Sequence, residues 1–149
     1  SNIFTLTANQ EKEHAERFFK FLEGGELNIS GTFPAGVISD TLHNLQEAAA
    51  NEHEEGDILY PRFAMEAMEE GFNEIADAFN AISVAERAHE KRYLELAGNL
   101  VDDIVFKRKE AVMWQCSNCG YVIIAKEPPE KCPSCEHDRG YFELMMHNW

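Results

Sequence analysis

The pattern Glu-x-x-His-x-x-Arg-aromatic occurs twice in this chain, 75 residues apart. The first copy is Glu11, His14, Arg17 and Phe18; the second is Glu86, His89, Arg92 and Tyr93. Both lie in strongly helical sequence. Residues three apart are neighbours on one face of a helix, so each copy can aim a carboxylate and an imidazole at one point. Glu52 and Glu55 form a third pair at the same spacing between them. Three helices that each offer two metal-type ligands, several of them carboxylates, suggest a two-metal carboxylate site inside a helical bundle. A single Glu-x-x-His is weak evidence, since a solvated charged face explains either copy alone. Two copies together with Glu52 and Glu55 outweigh that explanation.

The copies align beyond the ligands. Phe4 matches Phe79, Arg17 matches Arg92 and Phe18 matches Tyr93, the signature of a duplicated helical hairpin. In the second copy, the helix carrying His89 follows a long helix carrying Glu52 and Glu55. The matching helix of the first copy would precede residue 1, and the chain opens on Ser1 rather than methionine. The expectation is therefore a four-helix protein without its first helix. Two-metal bundles draw one Glu from each of two helices and Glu-x-x-His from each of the other two. Both Glu-x-x-His helices and one Glu helix are present here.

Along the chain, residues 1 to about 23 predict a helix with Ile3, Phe4, Phe18, Phe21 and Leu22 as apolar positions, stopped by Gly24-Gly25. A crossing loop takes residues 24–35. Helical patterning resumes from about Pro34 to Glu70, with a kink expected at Pro61, and Gly71 ends it. A third helix spans about Phe72 to Gly98 or Asn99, with Ile75, Phe79, Ile82, Leu94 and Leu96 apolar. From Met113 and Trp114 the pattern turns to short β runs and turns. The predicted domains are 1–109, helical, and 110–149, a small β module.

The four cysteines all fall in the second domain, as Cys116-x-x-Cys119 and Cys132-x-x-Cys135. Two such knuckles place four thiolates at a tetrahedron suited to zinc or a single iron, and spacing alone leaves both open. No cysteine remains for a distant disulfide, which points to a reducing compartment. Trp114, Tyr121, Val122, Ile123 and Phe142 are expected to shield that centre. The 27 acidic against 13 basic residues leave a net charge of −14, which disfavours nucleic acid and anionic membranes and favours a partner with a basic face. No apolar run approaches a membrane span and no signal peptide opens the chain, so a cytoplasmic location is expected. His43, His137 and His147 carry no motif. His53 points away from the ligands on its helix, and Arg17 and Arg92 are expected to pair with surface acids.

The chain resembles the rubrerythrin family over residues 1–149. The matching stretches are Glu11 to Arg17, Phe18 to Gly25, Phe33-Pro34-Ala35-Gly36, Glu52-His53-Glu54-Glu55, Tyr60-Pro61, Val84-Ala85-Glu86 and His89 to Arg92. The resemblance implies a ferritin-like bundle joined to a rubredoxin-like domain, and a di-iron peroxidase. Position by position, it implies that Glu11 and Glu86 bridge two irons and that Glu52 and His89 are terminal ligands of one. Glu55 and His14 would be alternative ligands of the other, exchanged with oxidation state. Tyr60 resembles a family tyrosine lying just outside the ligands. The family's remaining ligand is a glutamate on its first helix. For the tail, the resemblance favours redox-active iron over zinc.

The function these features predict is reduction of hydrogen peroxide to water at a di-iron site carrying Glu55, His14 and Tyr60 as its working groups. Electrons would enter one at a time through the four-cysteine iron, from an external donor such as rubredoxin or an NAD(P)H-dependent reductase. A ferritin-like iron oxidase and a non-enzymatic zinc-ribbon bundle fragment are the alternatives. An open groove where a fourth helix should lie predicts a homo-oligomer, with helix exchange between copies as one way to cover it.

Overall fold

A computed structural model describes residues 2–146; His147 lies outside the described residues. The chain forms two compact units that divide between Ala97 and Gly98. The first holds helix α1 (Asn2–Phe19), helix α2 (Thr41–His53), a π-helical segment (Glu54–Leu59), helix α3 (Tyr60–Glu69) and most of helix α4 (Asn73–Val101). α2, the π segment and α3 run on as one interrupted helix, because Glu54, Leu59 and Tyr60 all keep helical backbone angles. This is the mainly α, ferritin-like architecture expected from the sequence, with three helices.

Two boundaries move from their predicted places. α1 closes at Phe19, with Phe21 and Leu22 donating i→i−3 bonds to Phe18 and Phe19, so the left-handed Gly24 and Gly25 follow the helix rather than end it. α2 begins at Thr41 rather than near Pro34. Asp40 is extended and accepts a 2.9 Å bond from the His43 N–H, satisfying a donor that a helix start leaves unpaired. Gly71 ends α3 as predicted: at φ 87° it lets Phe72 donate to Ala67 O at 2.8 Å.

α1 and α4 run antiparallel, and the duplication shows in their contacts. Phe4 stacks on Tyr93 at 5.5 Å, and the equivalent pair, Phe79 and Phe18, meets at 4.8 Å. One core cluster is Leu45, Ala49, Tyr93 and Ala97; another is Ala64, Ala67 and Ala76. Alanine at these contacts lets helix backbones approach closely. Leu22 and Leu94, predicted apolar positions, are both exposed, Leu22 because it lies beyond the end of α1.

The second unit is a three-stranded antiparallel sheet of order β2-β1-β3, with β1 Val112–Cys116, β2 Val122–Ala125 and β3 Phe142–Leu144. Trp114, Cys116, Cys132 and Phe142 are its buried core, with Tyr121 and Ile123 packed against them. Val122 does not join the shield. Side chains alternate across a strand, so with Ile123 inward Val122 faces out. No described helix is long and apolar enough to cross a membrane.

Candidate metal centres

Helical spacing delivers the first centre. α1 presents Glu11 and His14, α2 presents Glu52, and α4 presents Glu86 and His89 one turn apart. One ligand atom from each of Glu11, Glu52, Glu86 and His89 lies within 4.8 Å of the others. His89 Nδ1 is 2.9 Å from Glu11 Oε1, 3.1 Å from Glu86 Oε2 and 3.4 Å from Glu52 Oε2. His14 Nδ1 is 3.0 Å from both Glu11 Oε2 and Glu86 Oε1. Glu86 is fully buried, and His89 and Glu52 nearly so.

Close as they are, several of these atoms are not aligned as hydrogen bonds. Glu11 Oε1, Glu52 Oε2, both Glu86 oxygens and His89 Nδ1 are buried without a hydrogen-bond partner. Buried polar groups are nearly always paired, and a buried charge without a partner is costly. Lone pairs converging on one point without hydrogen-bond partners fit a bound cation. Carboxylate oxygens with imidazole nitrogen suit iron among the metals such a donor set can take.

Crowding these acids together shifts their protonation. Burial pushes the Glu86 and Glu52 carboxyls well above the usual range, with the Glu11 charge adding to it. Burial also raises Glu55, and it lowers His89, keeping that imidazole neutral and able to ligate. Beside the cluster an open pocket of about 390 Å³ is lined by Glu11, His14, Phe18, Glu52, Glu55 and Tyr60. Glu55 stands apart from the central four and lines this pocket beside Tyr60. Burial and the neighbouring carboxylates push the Tyr60 phenol up, so it stays protonated.

The second centre is the cysteine cluster. The four Sγ atoms lie within 4.8 Å of one another, with Cys116–Cys135 at 3.8 Å and Cys119–Cys132 at 3.6 Å. Metal–sulfur bonds of about 2.3 Å give a tetrahedral edge of roughly 3.8 Å, so the spacing fits a metal, whereas a disulfide would need about 2 Å. Each knuckle is a turn closed by backbone bonds, Cys116 N–H to Tyr121 O and Cys132 N–H to His137 O, both 2.8 Å. A backbone hydrogen bond at Tyr121 holds the Cys119 thiol below its ordinary value, and burial raises Cys132.

Residues 1–97 match the rubrerythrin family model, and residues 114–143 match that of the rubrerythrin rubredoxin-like domain. Rubrerythrin from Porphyromonas gingivalis is 54% identical over 149 residues, covering all of this chain and 74% of that protein. The chain belongs to the rubrerythrin family. Rubrerythrin from Nitratidesulfovibrio vulgaris is 53% identical, again over the whole chain and 78% of its own length. Among solved structures, nigerythrin in a partially reduced state superposes with a TM-score of 0.55 at 26% identity, covering 96% of this chain and 68% of that one. Its mixed-valence form gives 0.54.

Around the candidate ligands the structure places groups that sequence reasoning passed over. Arg92 is not a surface partner of an acid: it reaches across to α1 and donates to Thr7 Oγ1 at 2.7 Å and Gln10 Oε1 at 3.2 Å. Its counterpart Arg17 does pair on the surface, with Glu74 at 3.2 Å. The repeat explains the difference, since the positions equivalent to Thr7 and Gln10 are Ile82 and Ala85, which offer no side-chain acceptor. His53 lies between Asp57 and Glu90, at 3.2 and 3.1 Å. Ser83 and Arg87 both donate to the Gly56 carbonyl in the π segment. The one sequence signal for that last arrangement is Pro61.

Proposed function

We propose that this chain reduces hydrogen peroxide to water, H2O2 taking up two electrons and two protons to give two waters. The observation that carries the proposal is the buried, unpaired ligand set of Glu11, Glu52, Glu86 and His89 opening onto a pocket lined by Glu55, His14 and Tyr60. Glu11, Glu52, Glu86 and His89 would hold two irons, with His14 and Glu55 able to serve the second in turn. Iron bound there would supply the electrons for O–O cleavage. Nigerythrin in partially reduced and mixed-valence states speaks for redox change on this fold.

The chain's own groups suit the proton side of the reaction. Glu55, raised by burial, holds a proton further towards neutral pH than an ordinary carboxyl and faces the pocket. Tyr60 stays protonated and lines the same pocket as Glu55. Phe18 packs edge-on against Tyr60 at 5.7 Å, and both rings contact Phe79, so water is kept from that side. The four thiolates would hold iron, which can pass single electrons from an external donor as zinc cannot. Rubredoxin or an NAD(P)H-dependent reductase with a basic docking face suits the net charge of −14. A homo-oligomer belongs to the same proposal, since Ile29, Phe33, Val37 and Ile38 are all strongly exposed and would be covered by a second copy.

The test begins with iron and zinc per chain, then compares peroxide with dioxygen as oxidant of the reduced protein. Faster oxidation by peroxide is expected; faster reaction with dioxygen would favour an iron oxidase instead. Cys119→Ser should abolish donor-driven turnover yet leave a single oxidation of chemically reduced protein intact. Undiminished donor-driven turnover would remove the relay from the proposal. Light scattering should return more than one chain per particle.

A further inference from the structure

The Gly56 carbonyl cannot be paired by its own helix. In an α-helix it would accept from the N–H of residue 60, but Tyr60 donates instead to Glu55 O, five residues back. In continued π register the donor would be residue 61, which is Pro61 and has no N–H. Both backbone routes are closed, and Gly56 is buried. Two side chains of α4 close the gap. Ser83 Oγ donates to Gly56 O at 2.9 Å and Arg87 Nη1 donates to it at 2.7 Å, while Arg87 Nη1 also donates to Ser83 Oγ at 2.8 Å. Gly56 itself permits the approach, since a Cβ there would lie 3.1 Å from Glu86 Cβ and 3.2 Å from Arg87 N.

The turn that these bonds hold open has a geometric consequence at the pocket. On a regular α-helix, side chains five apart point about 140° away from each other. A π turn adds a residue to the turn and brings positions five apart onto one face. Glu55 and Tyr60 are five apart, and both line the same pocket across this turn. Closing it would swing the phenol away from the carboxylate. It would also drive the Pro61 ring against the Asp57 carbonyl, four residues back, the clash that makes proline an α-helix breaker.

We propose that Ser83 and Arg87 are positioning residues that stand in for the missing N–H of Pro61, capping Gly56 O so that the π turn stays open and Tyr60 stays beside Glu55. The role takes its chemical meaning from the proposed peroxide reduction. Neither residue is a candidate metal ligand. They reach the site from outside, through the backbone of the segment next to Glu55.

Hydrogen exchange on the full chain, iron-loaded and chelator-treated, tests the cap without reference to activity. In Ser83→Ala combined with Arg87→Gln, amides of residues 54–60 should exchange about tenfold faster or more, the factor that a buried carbonyl left unpaired implies, while α1 is unchanged. Adding Pro61→Ala restores a donor N–H and should return exchange close to that of the parent. Arg87→Lys alone, with Ser83 intact, should stay near the parent. Unchanged exchange in the first variant, or raised exchange that Pro61→Ala fails to restore, would overturn the cap. The link to Tyr60 is read from peroxide turnover at equal iron content: the Ser83/Arg87 variant should lose about as much kcat as Tyr60→Phe, and combining them should lose no more. Additive losses would overturn that link. A parent chain inactive with peroxide would defeat the proposed function and leave the exchange result standing.

Discussion

At the scale of single residues, Glu86 concentrates the chemistry and Gly56 makes room for it. Glu86 is fully buried among three other candidate ligands, and the π segment passes directly over it with no side chain between. Gly56→Ala would place a methyl 3.1 Å from Glu86 Cβ and 3.2 Å from the Arg87 backbone nitrogen, so these neighbours would have to shift by a few tenths of an ångström. Overpacking of that kind costs roughly 1–3 kcal/mol, so the variant should melt at a lower temperature and bind metal more weakly. Unchanged metal affinity would mean that Glu86 tolerates the push. His14→Ala is expected to slow peroxide reduction while the oxidised protein keeps its iron, because Glu55 remains to hold it. Equal loss of iron in both oxidation states would count against exchange between His14 and Glu55.

At the scale of elements, the interrupted helix from Thr41 to Glu69 is set by its two ends and its π turn. The long segment before it, residues 20–40, has no helix or strand of its own, so the start of α2 depends on local capping. Asp40 accepts from the His43 N–H, and Ser39 and Asn44 exchange two 2.9 Å bonds across the same turn. Asp40→Ala should therefore destabilise the helical unit by about 1 kcal/mol, and Asp40→Asn by much less. Denaturant unfolding followed by helical circular dichroism measures both. Equal losses would show that the charge at the helix start matters more than the cap bond.

For the whole molecule, the buried acids make stability depend on pH and metal together. Glu52, Glu55 and Glu86 have folded pKa values raised above the ordinary 4.5 by burial. A raised pKa means that the metal-free fold prefers the protonated acids, so their stabilisation is complete below about 4.5 and is lost as pH rises through neutral. His89 is lowered and acts in the opposite sense, adding stability above its ordinary 6.5 and losing it on acidification. Three carboxyls outweigh one imidazole, and the net charge of −14 adds self-repulsion in the same direction. Metal-free protein should therefore melt lower at about pH 8 than at about pH 5, and ferrous iron should reverse the order by neutralising the same oxygens. A metal-free protein that is more stable at the higher pH would show that these carboxyls are not held apart from solvent and partners.

The sequence by itself determined what depends on spacing along one helix or one knuckle. Glu11 with His14, and Glu86 with His89, share faces because three residues make nearly a helical turn, and two Cys-x-x-Cys pairs at short separation can close on one metal. The repeat at 75 residues also placed Phe4 and Phe18 as equivalents of Phe79 and Tyr93, the rings that meet in the fold. Tertiary structure decided whatever needs a partner from another element. Arg92 and Arg17 occupy equivalent positions and part company only because Thr7 and Gln10 lie opposite one, while the repeat offers Ile82 and Ala85 at the matching places. Pro61 announces a disturbed helix without saying what form the disturbance takes. The π turn prevails because α4 brings Ser83 and Arg87 within hydrogen-bonding distance of the one carbonyl it strands. A buried acceptor must find a donor, and which donor it finds is settled only when the helices are packed.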